Sequence, residues 1–120
     1  LGLFVHFSIN IIEIQNMKIQ VNTDHNTPGS ESLNNFIDTV LQSELDHFAE
    51  HITRIEVHLA DENAGKSGEN DKRCMIEARI EHRKPVAVTA HANTYEESIS
   101  DASDKMKSSL DTIFGKITSH

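Results

Sequence analysis

The residues of this chain best placed to do chemistry are its cations. They stand at Lys18, Arg54, Lys66, Lys72, Arg73, Arg79, Arg83, Lys84, Lys105, Lys107 and Lys116. Six of the 11 fall between Lys66 and Lys84, against four acids in the same span. Cations gathered on one surface can replace the counterions of a phosphate backbone, which is the chemistry of nucleic-acid binding. The same run also fits a solvated strand face of alternating charge, stabilised by cross-strand pairs such as Glu56 with Arg79. Residue types alone leave both readings open.

Other constellations are thinner. His47 and His51 lie four apart near a helix end, a spacing that suits a metal ion, but no third ligand accompanies them. Two solvated histidines favoured by a helix C-terminus are the simpler reading. Asp61, Asn63 and Gly65 resemble the start of a calcium loop without its downstream carboxylates, so a hairpin loop of turn formers is expected instead. Cys74 falls on the apolar face of its strand with Ile76 and Ile80 and reads as a buried, inert thiol. Tyr95 can stack on a base, or pack its ring at a helix start and leave its hydroxyl in water. No catalytic triad, paired-carboxylate signature or glycine-rich phosphate loop is present. We therefore expect no enzyme activity, no metal, no cofactor and no small-molecule substrate.

The elements that must position these residues follow from hydrophobic period. Met17, Ile19 and Val21 alternate with Lys18, Gln20 and Asn22, a short strand. Leu33, Phe36, Ile37, Val40, Leu41, Leu45 and Phe48 form one helical stripe over residues 30–50, with Ser30 as its N-cap after Pro28-Gly29. Ile55, Val57 and Leu59 alternate with Arg54, Glu56 and His58 in a second strand. Cys74, Ile76, Ala78 and Ile80 alternate with Arg73, Met75, Glu77 and Arg79 in a third. His82-Arg83-Lys84-Pro85 predicts a short turn, since Pro85 lacks the N–H of a strand interior. Val86 and Val88 open a fourth strand. Thr94 with Glu97 forms a capping box for a second helix over 95–117, whose stripe is Ile99, Ala102, Met106, Leu110, Ile113 and Ile117. The order is β-α-β-β-β-α. Each strand has one apolar face, so two helices should cover one side of a four-stranded sheet in a two-layer α+β domain.

Length and composition agree with this. A chain of 120 residues with 37% apolar and 25% charged residues suits one ordinary globular domain. A single cysteine allows no internal disulfide and fits a reducing cytoplasm. No apolar run approaches the roughly eighteen residues of a membrane span, so no membrane partner is expected. The net charge of -8 argues against a generic nucleic-acid binder. Residues 1–16 are apolar and lack Lys or Arg, unlike a secretory signal. We expect them to lie outside a domain spanning 17–120. A genuine extra strand through Phe4, Val5, Phe7, Ile9, Ile11, Ile12 and Ile14 is the rival.

The segment DENAGKSGENDKRCMIEARI, then Pro85-Val86-Ala87-Val88, Tyr95-x-x-Ser98-Ile99 and Asp104-Lys105-Met106-x-x-x-Leu110, resembles the ribosome hibernation-promoting factor family. That family includes ribosome-associated inhibitor A and was once called sigma-54 modulation protein. The resemblance runs from about Met17 to Ile117. It implies a fold related to double-stranded-RNA-binding domains and binding to the small ribosomal subunit, its RNA and proteins, between head and body. It also implies that translation is blocked there under stress by occlusion of the tRNA and mRNA path, without catalysis. It further implies RNA contact for Lys72, Arg73, Arg83 and Lys84, extended by Lys66, Arg79, Lys105 and Lys107. The chain departs from the family's pattern on the first helix. Residues 23–51 carry six acids and no Lys or Arg, which points to an alternative, a protein-interaction module that meets a basic partner through this acidic helix.

Overall fold

The computed structural model describes residues 17–24, 27, 29–63 and 68–115. The proposed extension 1–16, Pro28, Gly65, Lys66, Lys116 and Ile117 lie outside the described residues. Strand β1 is Ile19–Thr23, helix α1 Glu31–Leu45, β2 Ile52–Asp61, β3 Lys72–Ile80, β4 Val86–Ala92 and α2 Tyr95–Leu110. The sheet order is β1-β2-β3-β4. β1 pairs parallel to β2, and the crossover that a parallel pair requires is α1. β2, β3 and β4 form an antiparallel meander.

The expected periods become faces. Ile55, Val57 and Leu59 of β2 and Cys74, Ile76, Ala78 and Ile80 of β3 are buried together. Over them lie Leu33, Ile37, Leu41 and Leu45 of α1 and Ile99, Ala102, Met106 and Leu110 of α2. Both N-caps form as expected. The Ser30 hydroxyl accepts from the Leu33 N–H at 3.1 Å, and that of Thr94 from the Glu97 N–H at 3.1 Å. The reciprocal half of the capping box differs. The Glu97 carboxylate accepts from the Thr94 hydroxyl at 3.3 Å instead of from a backbone donor.

Three local features go beyond the hydrophobic pattern. The first helix is α-helical only to Leu45; Asp46–His51 tighten to a 3-10 turn, which tucks Phe48 into the core. Likewise α2 gives way after Leu110 to a π-helical turn, Asp111–Gly115. At the start of β2 a bulge shifts the register between Ile52, opposite Ile80, and Arg54, opposite Arg79. A one-residue shift moves a side chain to the other face of a sheet. Ile52 thus joins the core although its parity with Arg54 would turn it to water. The β3–β4 turn, Glu81 to Pro85, closes with His82 at φ 64°, the left-handed region, and with the Arg83 N–H on the Ile80 carbonyl at 3.3 Å.

This packing sets a hierarchy of stability. Ile76 is fully buried at the centre of the sheet, so Ile76→Ala should cost about 3 kcal/mol. Thr94→Ala should cost about 1 kcal/mol through its cap. Urea unfolding checks both. A loss for Ile76→Ala no larger than that for the cap would place the core elsewhere.

Candidate nucleic-acid interface

Alternation sends the polar half of every strand to the sheet face opposite the helices. There the register sets Arg54 opposite Arg79 and Glu56 opposite Glu77. Like charges directly opposite are unfavourable, and the side chains answer by pairing along and across the strands. Arg54 Nη2 meets Glu56 Oε2 at 2.6 Å, Arg79 Nε reaches the same oxygen at 3.4 Å, and Arg79 Nη2 lies 3.5 Å from Glu77 Oε1. His58 Nε2 is 3.6 Å from Glu56 Oε1. The part of the open face nearer the β3–β4 turn is thus a self-neutralised square of two arginines and two glutamates. It includes the Glu56–Arg79 pair anticipated from the alternation.

At the end of the sheet where β3 begins, Lys72 is an internal counterion. Its ammonium sits 2.9 Å from Asp71 Oδ1 and 3.6 Å from Asp61 Oδ2, and those acid side chains are 7% and 4% exposed. The Tyr95 ring lies under it at 5.8 Å. The hydrogen bond from Lys72 holds the Asp71 carboxyl below its ordinary 3.8, and the Asp71 bond raises Lys72 in return. Nearby, Arg73 Nε is 3.5 Å from Glu62 Oε2, and His91 Nε2 is 2.9 Å from the other Glu62 oxygen.

The β3–β4 turn forms the opposite end. Arg83 lies with its guanidinium 5.4 Å from the Phe114 ring centroid. The His51 ring stacks on Phe114 at 4.4 Å and 14°. Arg83 and Lys84 are exposed, and among the described residues neither has a carboxylate within ion-pair distance. On α2, Lys107 makes an exposed pair with Asp111 at 3.7 Å, while Lys105 donates to the Thr89 carbonyl at 2.8 Å.

The candidate residues are therefore not gathered in one patch. β3 spans nine residues, which at about 3.3 Å per residue puts Lys72 and Arg73 on the order of 27 Å from Arg83 and Lys84. Arg79, next to the last residue of β3, is held in the neutral square. Two properties escape pattern reading. The pairing of Lys72 depends on two buried acids brought together by the β2–β3 register. The Arg83–Phe114–His51 stack joins three segments distant in the chain.

The weaker constellations take structural roles. His47 lies edge-on to Phe48 at 5.3 Å and His51 stacks on Phe114. No group of three or more metal-ligating side chains occurs among the described residues. Asp61 accepts from the Asn63 N–H at 3.0 Å and faces Lys72. The Tyr95 hydroxyl is not left to water, since it donates to Thr27 Oγ1 at 3.2 Å. Burial pushes the Cys74 thiol up to about 12, which suits an inert core residue.

Two measurements probe this arrangement. Because Asp71 is held below its ordinary 3.8 in the folded chain, its pairing stabilises fully above that value and is lost as pH falls through the folded one. A denaturant midpoint followed from about pH 6 to about pH 3 should drop, and Lys72→Met should lower the plateau and flatten the acid limb. An unchanged acid limb in that variant would detach Lys72 from Asp71. Cys74, for its part, should resist alkylation in the native chain at pH 8 and react once the chain is unfolded. Labelling of the native chain at the unfolded rate would show the thiol to be accessible.

Comparisons with known proteins bear on this geometry. A search of curated proteins finds no match. The N-terminal domain of Thermus thermophilus Protein Y superposes with a TM-score of 0.65 at 16% identity, covering 81% of this chain and 99% of that one. A ribosomal subunit interface protein from Coxiella burnetii superposes with a TM-score of 0.67 at 13% identity, covering 82% and 99%. At such identities the likeness shows the fold, the two-layer α+β arrangement expected from the pattern. The family model described as "Sigma 54 modulation protein / S30EA ribosomal protein" matches residues 19–118. The chain belongs to that family.

Proposed function

We propose that this protein is a ribosome-associated translation inhibitor, a hibernation factor that binds the small ribosomal subunit under stress and acts by occlusion, without catalysis. Membership of the S30EA family and the shared fold support the ribosome as partner. The observation that carries the choice of surface is the charge bookkeeping within the fold. Lys72, Arg54 and Arg79 are neutralised by neighbouring carboxylates, while Arg83 and Lys84 project from the β3–β4 turn without such partners among the described residues. An ammonium or guanidinium already paired at short range has little net charge to offer a phosphate. Arg83 and Lys84 thus make the primary RNA contact, and Lys107 at the same end of α2 adds to it. Arg73 contributes from the other end, since its pair with the half-exposed Glu62 is the kind of surface pair that exchanges at small cost. Lys105 and Arg79 are secondary, and Lys72 serves the fold.

A second reading rests on the helical layer. A cleft of about 310 Å³ between α1 and α2 is lined by Thr39, Val40, Ser43, Glu44, Ser100 and Asp104, with carboxylates and no Lys or Arg. Such a cleft suits a basic protein segment and hence an interaction module with weak or no RNA contact.

Sedimentation with small subunits at several salt concentrations separates the two. The parent should bind at low salt and weaken steeply as salt rises. Arg83→Glu with Lys84→Glu should weaken binding roughly tenfold or more and leave the fold intact. Glu44→Lys with Asp104→Lys should leave binding unchanged. A parent that never sediments with ribosomes overturns the inhibitor reading. Binding that survives the turn variant and fails in the cleft variant favours the interaction module.

A further inference from the structure

Among the described residues β4 forms one edge of the sheet, and the backbone hydrogen bonds fix which of its groups face outward. The Ile55 N–H donates to the Lys18 carbonyl at 2.9 Å, and the Leu59 carbonyl accepts from the Asp24 N–H at 3.1 Å. The odd residues of β2 therefore turn their backbone groups toward the β1 side, and Glu56, His58 and Ala60 turn theirs toward β3. These stand opposite Glu77, Met75 and Arg73, so the even residues of β3 serve β4. Cys74, Ile76 and Ala78 stand opposite Ala90, Val88 and Val86. What remains is Ala87, Thr89 and His91, whose N–H and C=O groups point away from the sheet. The carbonyl at the centre of that row, Thr89, is the one that accepts the Lys105 ammonium at 2.8 Å. The independent bond to Lys105 thus agrees with the phase derived from the far edge.

The edge has the composition of a strand that pairs readily. β4 reads VAVTAHA, with no charged residue and no proline. It is also self-complementary. An antiparallel copy placed about a two-fold axis at Thr89 sets Thr89 opposite Thr89 and Ala87 opposite His91, with no like charges facing. Such a pair would close about six backbone hydrogen bonds. Lysines beside an edge strand are a recurrent means of preventing that addition.

We propose that the β4 edge is competent to take a second copy of this chain as an antiparallel strand, and that Lys105 keeps the chain monomeric by occupying the central acceptor. α2 packs over the inner face of β4 and projects Lys105 around its flank, so the ammonium stands where the incoming strand would lie. An added strand must displace it and leave a cation against its own backbone. This role is independent of ribosome binding, and it explains why Lys105, unlike Lys107, is tied to a main-chain carbonyl instead of a carboxylate.

The test is the oligomeric state of the whole chain, measured by sedimentation equilibrium across a wide concentration range. Lys105→Met keeps the aliphatic stem and removes the ammonium. It should raise self-association at least about tenfold over a monomeric parent. Lys107→Met makes the same change in net charge and should remain monomeric. Thr89→Pro removes an outward N–H at a place where edge strands tolerate proline, so adding it to Lys105→Met should restore the monomer. Circular dichroism should show all of these variants folded. Three results would overturn the proposal: a Lys105→Met chain that stays monomeric, equal association in Lys107→Met, or a dimer that survives Thr89→Pro. A parent that already dimerises through β4 would equally remove the guarding role.

Discussion

The constraint on which this molecule depends is that its sheet has one buried face. Two helices cover that face, so strand alternation carries every charged side chain of the strand interiors to the other side. The β2–β3 register then brings Arg54 to Arg79 and Glu56 to Glu77. Neighbouring Cβ atoms across a sheet lie only about 5 Å apart, so these four residues must settle their charges among themselves. They do so through Glu56, which both arginines share. The open face looks cationic in the sequence and is close to neutral in the fold.

That internal settlement bears on the proposed function. With a net charge of -8 the chain has few cations to present, and most of those on the strands have short-range acidic partners. Lys72 stands between two buried aspartates, where it fastens the β2–β3 loop end and supports the Tyr95 ring. The β3–β4 turn escapes because it lies beyond the last strand pair, where no facing strand supplies a carboxylate. Arg83 gains direction there by lying against Phe114, itself braced by His51. A guanidinium so placed is oriented without losing its charge. The helical layer behaves in the opposite way. Five acids on Glu31 to Glu50 face no lysine or arginine of their own segment, so phosphate contact by α1 would be repulsive.

Much of this fold was legible from residue periods alone. Ile55, Val57 and Leu59, and Cys74, Ile76 and Ala78, alternate so regularly that strand faces followed directly, and Ser30 and Thr94 marked both helix starts. The bulge at Ile52 was not legible, because it depends on pairing with Ile80 across a long separation. Neither was the 3-10 turn after Leu45, which answers the need to bury Phe48 and not any local breaker. For the interface, the sequence run Lys66 to Lys84 looked continuous because the chain is continuous. A nine-residue strand between the two cationic ends is what separates them, and whether an arginine finds an acid depends on a register that composition does not encode. Lys105 shows the same limit from the other side. Its partner is a backbone carbonyl, invisible to any argument from side-chain types.

The central claim is that pairing within the sheet leaves the β3–β4 turn, not the open sheet face, to meet ribosomal RNA. Photo-crosslinking addresses it most directly, with one reactive group placed at Lys84 in the turn and, in a separate variant, one at Met75 in the middle of the open face. In complexes with small subunits at low salt, the group at position 84 should attach to ribosomal RNA and that at position 75 should not. Crosslinks from position 75 with none from position 84 would contradict the account.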